Sequence, residues 1–435
     1  MTTLSLLKNK EEFGSLKIKP LFCQKPDFNS HHKWLLNELI QWSKGFADHN
    51  QQDMEMCAKF MCYMYSGCQQ KDRLLAMTKW GCFTKTIDEY TEPSRKERSA
   101  PLMVELIEKL LTTLLTGRSD PKFLLGRRLL DSLEALDVFM TRDQKTKMRD
   151  SLKETFESTA KIHCDYWLQN RFIPYDEYYE LRSKEAFWPV FHLMAEISVD
   201  YTPPEPVLRY IPVNKLLTSA VRLSLAVNDY MMFVPKMAVN DITSGVMSYA
   251  WTKKCTIQTA IDSQYELIKD LQIECRSLSR TIADKLDPDF QTPALLAYVN
   301  AVIDISNGFY STVSEIFKWE EKDGLIVCHK WDQLRQQLLD SNNKYEYWGS
   351  SSGIGAAIAI KLWSLGANVV ITGRNEKRIQ EVVNKCQNRD NQRALGMRAD
   401  LLVDKDIEQL VAKIIKEFGK IDILVNNAGI GTTVQ

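Results

Sequence analysis

The chain has no charge of either sign to spare: lysine and arginine total 56, aspartate and glutamate total 56, and the formal net charge is zero. That balance argues against nucleic acid or an anionic membrane surface as the main partner. Its ten cysteines contain no C-x-x-C pair and no zinc-ligand spacing, so they read as buried reduced thiols of a cytosolic protein. The six histidines show no paired metal spacing, and His31-His32 reads as surface. No stretch reaches the roughly 18 apolar residues that a membrane helix needs. The opening MTTLSLLKNKEEFG has too short an apolar run for a signal peptide. The expectation is a cytoplasmic protein with no membrane span. Missing too, before about residue 365, is any convincing alternation of polar and apolar residues, the mark of a half-buried strand.

What is present is length and helical periodicity. A chain of 435 residues, 44% apolar, suggests two to three domains with a sizeable core. Residues 1–28, with Gly14, Pro20 and Pro26, read as an extended leader. From about Ser30 to Ile316 apolar residues recur at three- and four-residue steps, as in LMVELIEKLLTTLL (102–115) and LLTSAVRLSLAVNDYMMFV (216–234). Breaks fall at Glu92-Pro93, Gly117 to Pro121, Tyr201 to Pro206 and Asp287-Pro288. An all-α bundle of roughly ten helices is predicted across 29–345.

The pattern changes near residue 345. GSSSGIGAAIAIKL opens a helix, and ANVVITGR (367–374) is a β-branched strand. KRIQEVVNKC (377–386) is helical, ALGMRADL (394–401) a strand, KDIEQLVAKIIKEFG (405–419) a helix and IDILVNNAG (421–429) a strand. This alternation predicts βαβ units and a parallel sheet, a partial α/β Rossmann segment over 346–435.

Three elements carry chemistry in the helical part. Asp88 and Glu92 are i and i+4, so their carboxylates share one helix face and suit Mg²⁺, a hard cation bound between carboxylates and a substrate phosphate. Arg182 ends the run FIPYDEYYELR (172–182) and offers a bidentate fork for phosphate. Asn228-Asp229 follows in NDYMMFVPK (228–236). Each has a plainer reading alone: a solvated helix end before Pro93, a salt-bridge arginine, a common dipeptide.

Their order and spacing, with Trp80 in TKWGCFTKTIDEYTE (78–92), resemble the class I terpene synthases, most closely the microbial single-domain type. In that family an aspartate-rich motif, a sensor arginine, an Asn-Asp-x-x-Ser-x-x-x-Glu motif and a late Arg-Tyr pair surround a prenyl diphosphate with three Mg²⁺ ions. The resemblance implies Mg-dependent ionisation and cyclisation of a prenyl diphosphate, by family habit farnesyl diphosphate, in a monomer or homodimer. It places metal on Asp88, Glu92 and Asn228, and diphosphate on Arg182, Lys236 and Tyr310, with Asp88 and Arg182 catalytic. The sequence departs from the pattern at Met232 and Lys236, where serine and glutamate belong, and at Phe309, where the pair has arginine. Methionine is a poor Mg²⁺ ligand and lysine repels the ion, so one metal site should be weak or missing. The alternative is a relative that only binds a prenyl diphosphate or apolar ligand.

The C-terminal segment resembles the short-chain dehydrogenase/reductase family in GSSSGIG (349–355), TGR (372–374), Asp400 and NNAG (426–429). The resemblance implies a dinucleotide site at Gly349, Gly353 and Gly355. Arg374 would favour the extra phosphate of NADP, Asp400 would contact adenine and Asn426 would stabilise the sheet. The family's Ser and Tyr-x-x-x-Lys elements are not found in the sequence, and SNNKYEYW (341–348) is no apolar strand, so reductase activity is not expected.

Overall fold

The computed structural model describes residues 16–21, 26–46, 50–96, 100–169, 171–238, 243–328, 330–333, 345–347, 353–364, 367–386, 393–400, 403–419, 421, 425 and 430–432. Side chains at 88, 89, 92–96, 238, 345–347, 353, 354, 404 and 430–432 fall outside that description. The chain forms two compact units, Met1–Asp340 and Ser341–Gln435.

The first unit is helical almost throughout: α1 (His32–Ser43), α2 (Gln51–Met64), α3 (Lys71–Lys96), α4 (Ala100–Thr116), α5 (Leu124–Asp137), α6 (Arg142–Ile162), α7 (Tyr175–Glu185), α8 (Trp188–Ser198), α9 (Glu205–Arg209), α10 (Ile211–Met231), α11 (Phe233–Ala238), α12 (Gly245–Lys253), α13 (Ile257–Lys285) and α14 (Pro293–Phe317). Local chemistry sets many of the boundaries. Thr141 and Gln144 close a reciprocal capping box on α6. The Thr292 side chain caps α14, whose first residue is Pro293. Gly117 takes φ 65° just past α4, a conformation open to glycine at little cost.

α10 runs through the middle, packed along α13 and α14, and α14 lies against α2. The α2–α14 approach is close because Gly308 has no side chain: a Cβ there would stand 2.6 Å from the backbone of Met64. Residues 16–21 are pinned to the bundle. The Tyr230 hydroxyl of α10 accepts from Lys19 N (2.8 Å) and donates to Lys19 O (2.9 Å), and Gln258 of α13 bonds both backbone groups of Lys17. No helix of the described residues is long and apolar enough to cross a membrane.

One feature contradicts the expectation of no strand before residue 365. Residues Glu320–Lys322 (β1) and Leu325–Val327 (β2) form an antiparallel hairpin. Its turn is Asp323-Gly324, both at positive φ (53° and 70°), the pairing that two-residue hairpin turns favour. Ile326 N donates to Ile18 O at 2.8 Å, tying the hairpin to the 16–21 segment.

In the second unit a short strand β3 (Tyr345–Tyr347) precedes α15 (Gly353–Ser364), β4 (Val369–Gly373), α16 (Glu376–Lys385), β5 (Ala394–Arg398), α17 (Asp404–Phe418) and β6 (Ile430–Thr432). β4 and β5 pair in parallel, as a βαβ unit requires. Their core is Ala359, Trp363, Val369, Ile371, Ile379, Val382, Cys386 and Ala394. The 341–348 stretch does carry a strand, contrary to expectation. β3 pairs antiparallel with β6, however, and does not join the β4–β5 pair. The predicted strand 421–429 lies almost wholly outside the described residues.

Two stability predictions follow from this packing. Gly308→Ala should destabilise the helical unit by ~1–3 kcal/mol through overpacking against α2, read from the denaturation midpoint. His192 of α8 is buried with neither ring nitrogen partnered, and burial pushes its pKa from 6.5 down to about 4. Between those values the unfolded chain holds the extra proton, so this histidine's contribution to stability is full above pH ~6.5 and is lost as pH falls toward 4. His192→Phe should flatten that acid limb; an unchanged pH–stability slope would refute the assignment.

Candidate functional site

The chemistry-bearing residues of the helical unit meet where α7, α10, α12 and α13 come together. Pro174 sets the entry to α7, and the spacing 175, 178, 179, 182 puts three tyrosines and Arg182 along one side of it. The Tyr179 hydroxyl donates to Gln264 Oε1 at 2.7 Å, and Gln264 Nε2 donates to the Tyr175 hydroxyl at 2.9 Å. The Arg222 guanidinium lies over the Tyr179 ring, 4.9 Å from its centre. This network fixes α7 against α10 and α13.

Arg182 is buried in the last turn of α7 and is paired with Glu185 one turn on. The helix stops beyond that pair, because Phe187 takes a left-handed φ of 59° before Trp188-Pro189 starts α8. Phe187 is held there by Trp80, Phe83 and Phe156, with ring centres 5.8–6.3 Å away. The arginine therefore sits at a helix break clamped by an aromatic cluster.

Tyr178 faces the end of α10. Burial, then the charge of Asp229, hold its hydroxyl well above the usual phenol range, against the opposing pull of Arg182. It stays protonated, a hydrogen-bond donor between an acid and a guanidinium. Gly245, at the start of α12, makes room for the group: a Cβ there would meet Asp229 Oδ2 at 2.9 Å and Tyr178 at 3.2 Å.

The predicted second metal motif is built differently from a ligand triad. α10 ends at Met231, and α11 begins at Phe233 with Pro235 in its first turn. Asn228 is half-buried, and its carbonyl accepts from Met232 N at 2.8 Å. Met232 packs against the hydrophobic core. Lys236 Nζ donates to Asp229 Oδ1 at 3.0 Å and to Thr243 O at 2.8 Å. The donor set at 228, 232 and 236 is thus an amide, a thioether and an ammonium, which does not fit a divalent cation. Among the described residues no group of three or more His, Cys, Asp or Glu could hold a metal ion.

Asp88 and Glu92 lie on α3 one turn apart, with side chains outside the described residues; as a donor set, two carboxylates at i and i+4 suit Mg²⁺. Tyr310 is half-buried with its ring 5.7 Å from Trp319. Phe309 packs between Phe60 and Trp188, in an aromatic cluster with no place for an arginine's charge. The sequence reading missed Glu185, Tyr178 and Gly245. Only the i, i+3 relation of Glu185 to Arg182 was a local signal.

In the second unit Gly353 and Gly355 fall at the start of α15, and Gly349 and Asn426 lie outside the described residues. Arg374 follows β4, and its carbonyl accepts from Arg398 Nε at 3.2 Å. Asp400 follows β5, and its backbone N–H donates to Asp406 Oδ2 at 2.9 Å. Both therefore stand at the carboxyl ends of neighbouring parallel strands, where open α/β sheets bind ligands.

Residues 79–272 match the family described as "Terpene synthase family 2, C-terminal metal binding", and residues 347–435 match "short chain dehydrogenase". Among solved structures, linalool/nerolidol synthase from Streptomyces clavuligerus superposes with a TM-score of 0.57 at 12% identity, covering 67% of this chain and 98% of that one. An α-eudesmol synthase gives 0.57 at 16% identity, with 68% and 98% covered. The C-terminal segment is 44% identical over 81 residues to an uncharacterised oxidoreductase of Staphylococcus epidermidis. It is 43% identical over 82 residues to a 3-oxoacyl-[acyl-carrier-protein] reductase of Aquifex aeolicus. These matches cover 19% of this chain, which spans about a third of the length of those relatives (34% and 33%). The helical unit has the terpene synthase fold and that family's metal-binding signature, joined in one chain to a segment with the signature of the short-chain dehydrogenases.

Proposed function

We propose that the helical unit is a terpene synthase that binds a prenyl diphosphate, with farnesyl diphosphate as the substrate, and ionises it to diphosphate and a carbocation that cyclises. The observation that carries this reading is Arg182, buried at the α7–α8 break and braced by Glu185 within a fold shared with terpene synthases. One of those synthases has been solved in complex with 2-fluorogeranyl diphosphate. Arg182 supplies a planar fork for phosphate oxygens. The protonated Tyr178 hydroxyl beside it keeps that corner positively biased. Asp88 and Glu92 are the residues that would hold Mg²⁺, whose charge would offset that of the leaving diphosphate. Asn228 and Tyr310 complete the proposed lining. The aromatic cluster of Trp80, Phe83, Phe156 and Phe187 keeps the break dry, which strengthens each electrostatic contact nearby.

A second reading, a relative that binds the diphosphate without turnover, is favoured by one observation: Lys236 stands on Asp229 where the family pattern has a metal-ligating glutamate. For the C-terminal segment, the glycine-started helix α15 and Arg374 after β4 support a dinucleotide contact, with NADP as the form that an arginine would select. No reductase chemistry is proposed for it.

Turnover of geranyl, farnesyl and geranylgeranyl diphosphates across a Mg²⁺ titration, with volatile products detected, separates the two readings. The synthase reading expects product that depends on Mg²⁺ and falls on the order of 100-fold or more in Asp88→Ala. Diphosphate binding without product from the intact chain supports the second reading.

A further inference from the structure

On that same reading of the site, we propose that Lys236 is a built-in cation that replaces one divalent metal ion at the α10 end. A diphosphate would then be held here with one metal ion fewer than the family's ligand pattern provides. The donor set itself argues for it. An amide at 228, a thioether at 232 and an ammonium at 236 offer one hard oxygen where a divalent cation needs several. Met232 is packed against the core, so the middle position is filled with an apolar side chain.

The ammonium is fixed from two sides. Asp229, with 0% of its side chain exposed, takes it at 3.0 Å, and the Thr243 carbonyl takes it at 2.8 Å. Its own side chain is 12% exposed, enough to reach a ligand and little enough to escape screening. An ammonium has three N–H donors, and two have acceptors among the described residues. The third remains for a phosphate oxygen.

Charge bookkeeping points the same way. A glutamate ligand with its Mg²⁺ sums to one positive charge, and Lys236 alone supplies the same. The exchange of glutamate for lysine therefore leaves the local net charge unaltered once the metal is gone. Tyr178, acted on by both Asp229 and Arg182, places the sensor arginine in the same neighbourhood, so the two fixed cations flank one region.

The test counts Mn²⁺ ions bound per intact chain at saturating inorganic pyrophosphate, by electron paramagnetic resonance. Met232→Ser/Lys236→Glu should bind one more Mn²⁺ than the wild type. Asp229→Asn/Lys236→Met, which removes both charges and strands neither, should bind the wild-type number. Its pyrophosphate affinity should be weaker by about tenfold or more, a loss that added Mn²⁺ does not recover. Melting curves establish that each variant is folded. If the glutamate variant fails to fold, the neutral pair carries the test, and an unaltered affinity there overturns the proposal. Equal Mn²⁺ counts in wild type and glutamate variant also overturn it. A wild-type chain that binds no pyrophosphate at any Mn²⁺ concentration instead overturns the diphosphate reading itself, which separates the two failures.

Discussion

Asp229 has no solvent exposure, so its carboxylate must meet a cation inside the protein or give up its charge. Lys236 is that cation, and the requirement organises the surrounding chain. To bring the ammonium onto the carboxylate, the chain breaks at Met232 between α10 and α11, and Pro235 in the first turn of α11 suits a new helix start. Gly245 has to lack a side chain, because Asp229 Oδ2 and Tyr178 occupy the space a Cβ would enter. Removing one partner alone would leave an uncompensated buried charge, at a cost of about 3–5 kcal/mol. One ion pair therefore holds α7, α10, α11 and the start of α12 in register.

The same central helix carries the other end of the constraint. Tyr230, next in sequence to Asp229, bonds both backbone groups of Lys19, so α10 is gripped on its opposite side by the 16–21 segment. Gln258 and the β1–β2 hairpin hold that segment in turn. Gly308 lets α14 press close to α2. The region around Asp229 is thus packed against a frame that has little freedom to move. Such a frame is what a preorganised electrostatic site requires.

How much of this could be read in the sequence depends on how local each interaction is. The bundle was legible because period-3.6 patterning is written within each helix. The C-terminal elements were legible for the same reason: α16 and α17 begin within a residue of their predicted starts, and β4 and β5 fall inside their predicted spans. The hairpin was not, since β1 is Glu-Glu-Lys, exposed throughout, and only Asp323-Gly324 marked it. The departure at 232 and 236 was visible as a mismatch in residue type. Its consequence was not, because the ion pair of Lys236 crosses a helix break that a single-face reading of 228, 232 and 236 does not contain. Tyr178 against Gly245 is a contact between distant helices, which no spacing rule reports.

A lysine and a metal ion can supply the same charge and still differ in what happens after binding. A divalent cation bound partly by substrate oxygens can leave with the diphosphate, taking with it the attraction that held the product. An ammonium anchored to Asp229 stays. On the proposed reading, release of diphosphate then has to overcome two fixed cations, Arg182 and Lys236, and only the metal on the Asp88 side can depart. Fixed charge favours retention of the anion over its exchange, and in many enzymes product release sets the rate. The exchange that conserves local charge at 236 therefore shifts the site from turnover toward binding, and the balance rests on how tightly Asp229 offsets Lys236. Because Asp229 is wholly buried and hydrogen-bonded to the ammonium, much of that charge is already compensated, which leaves Arg182 as the dominant anchor for the diphosphate.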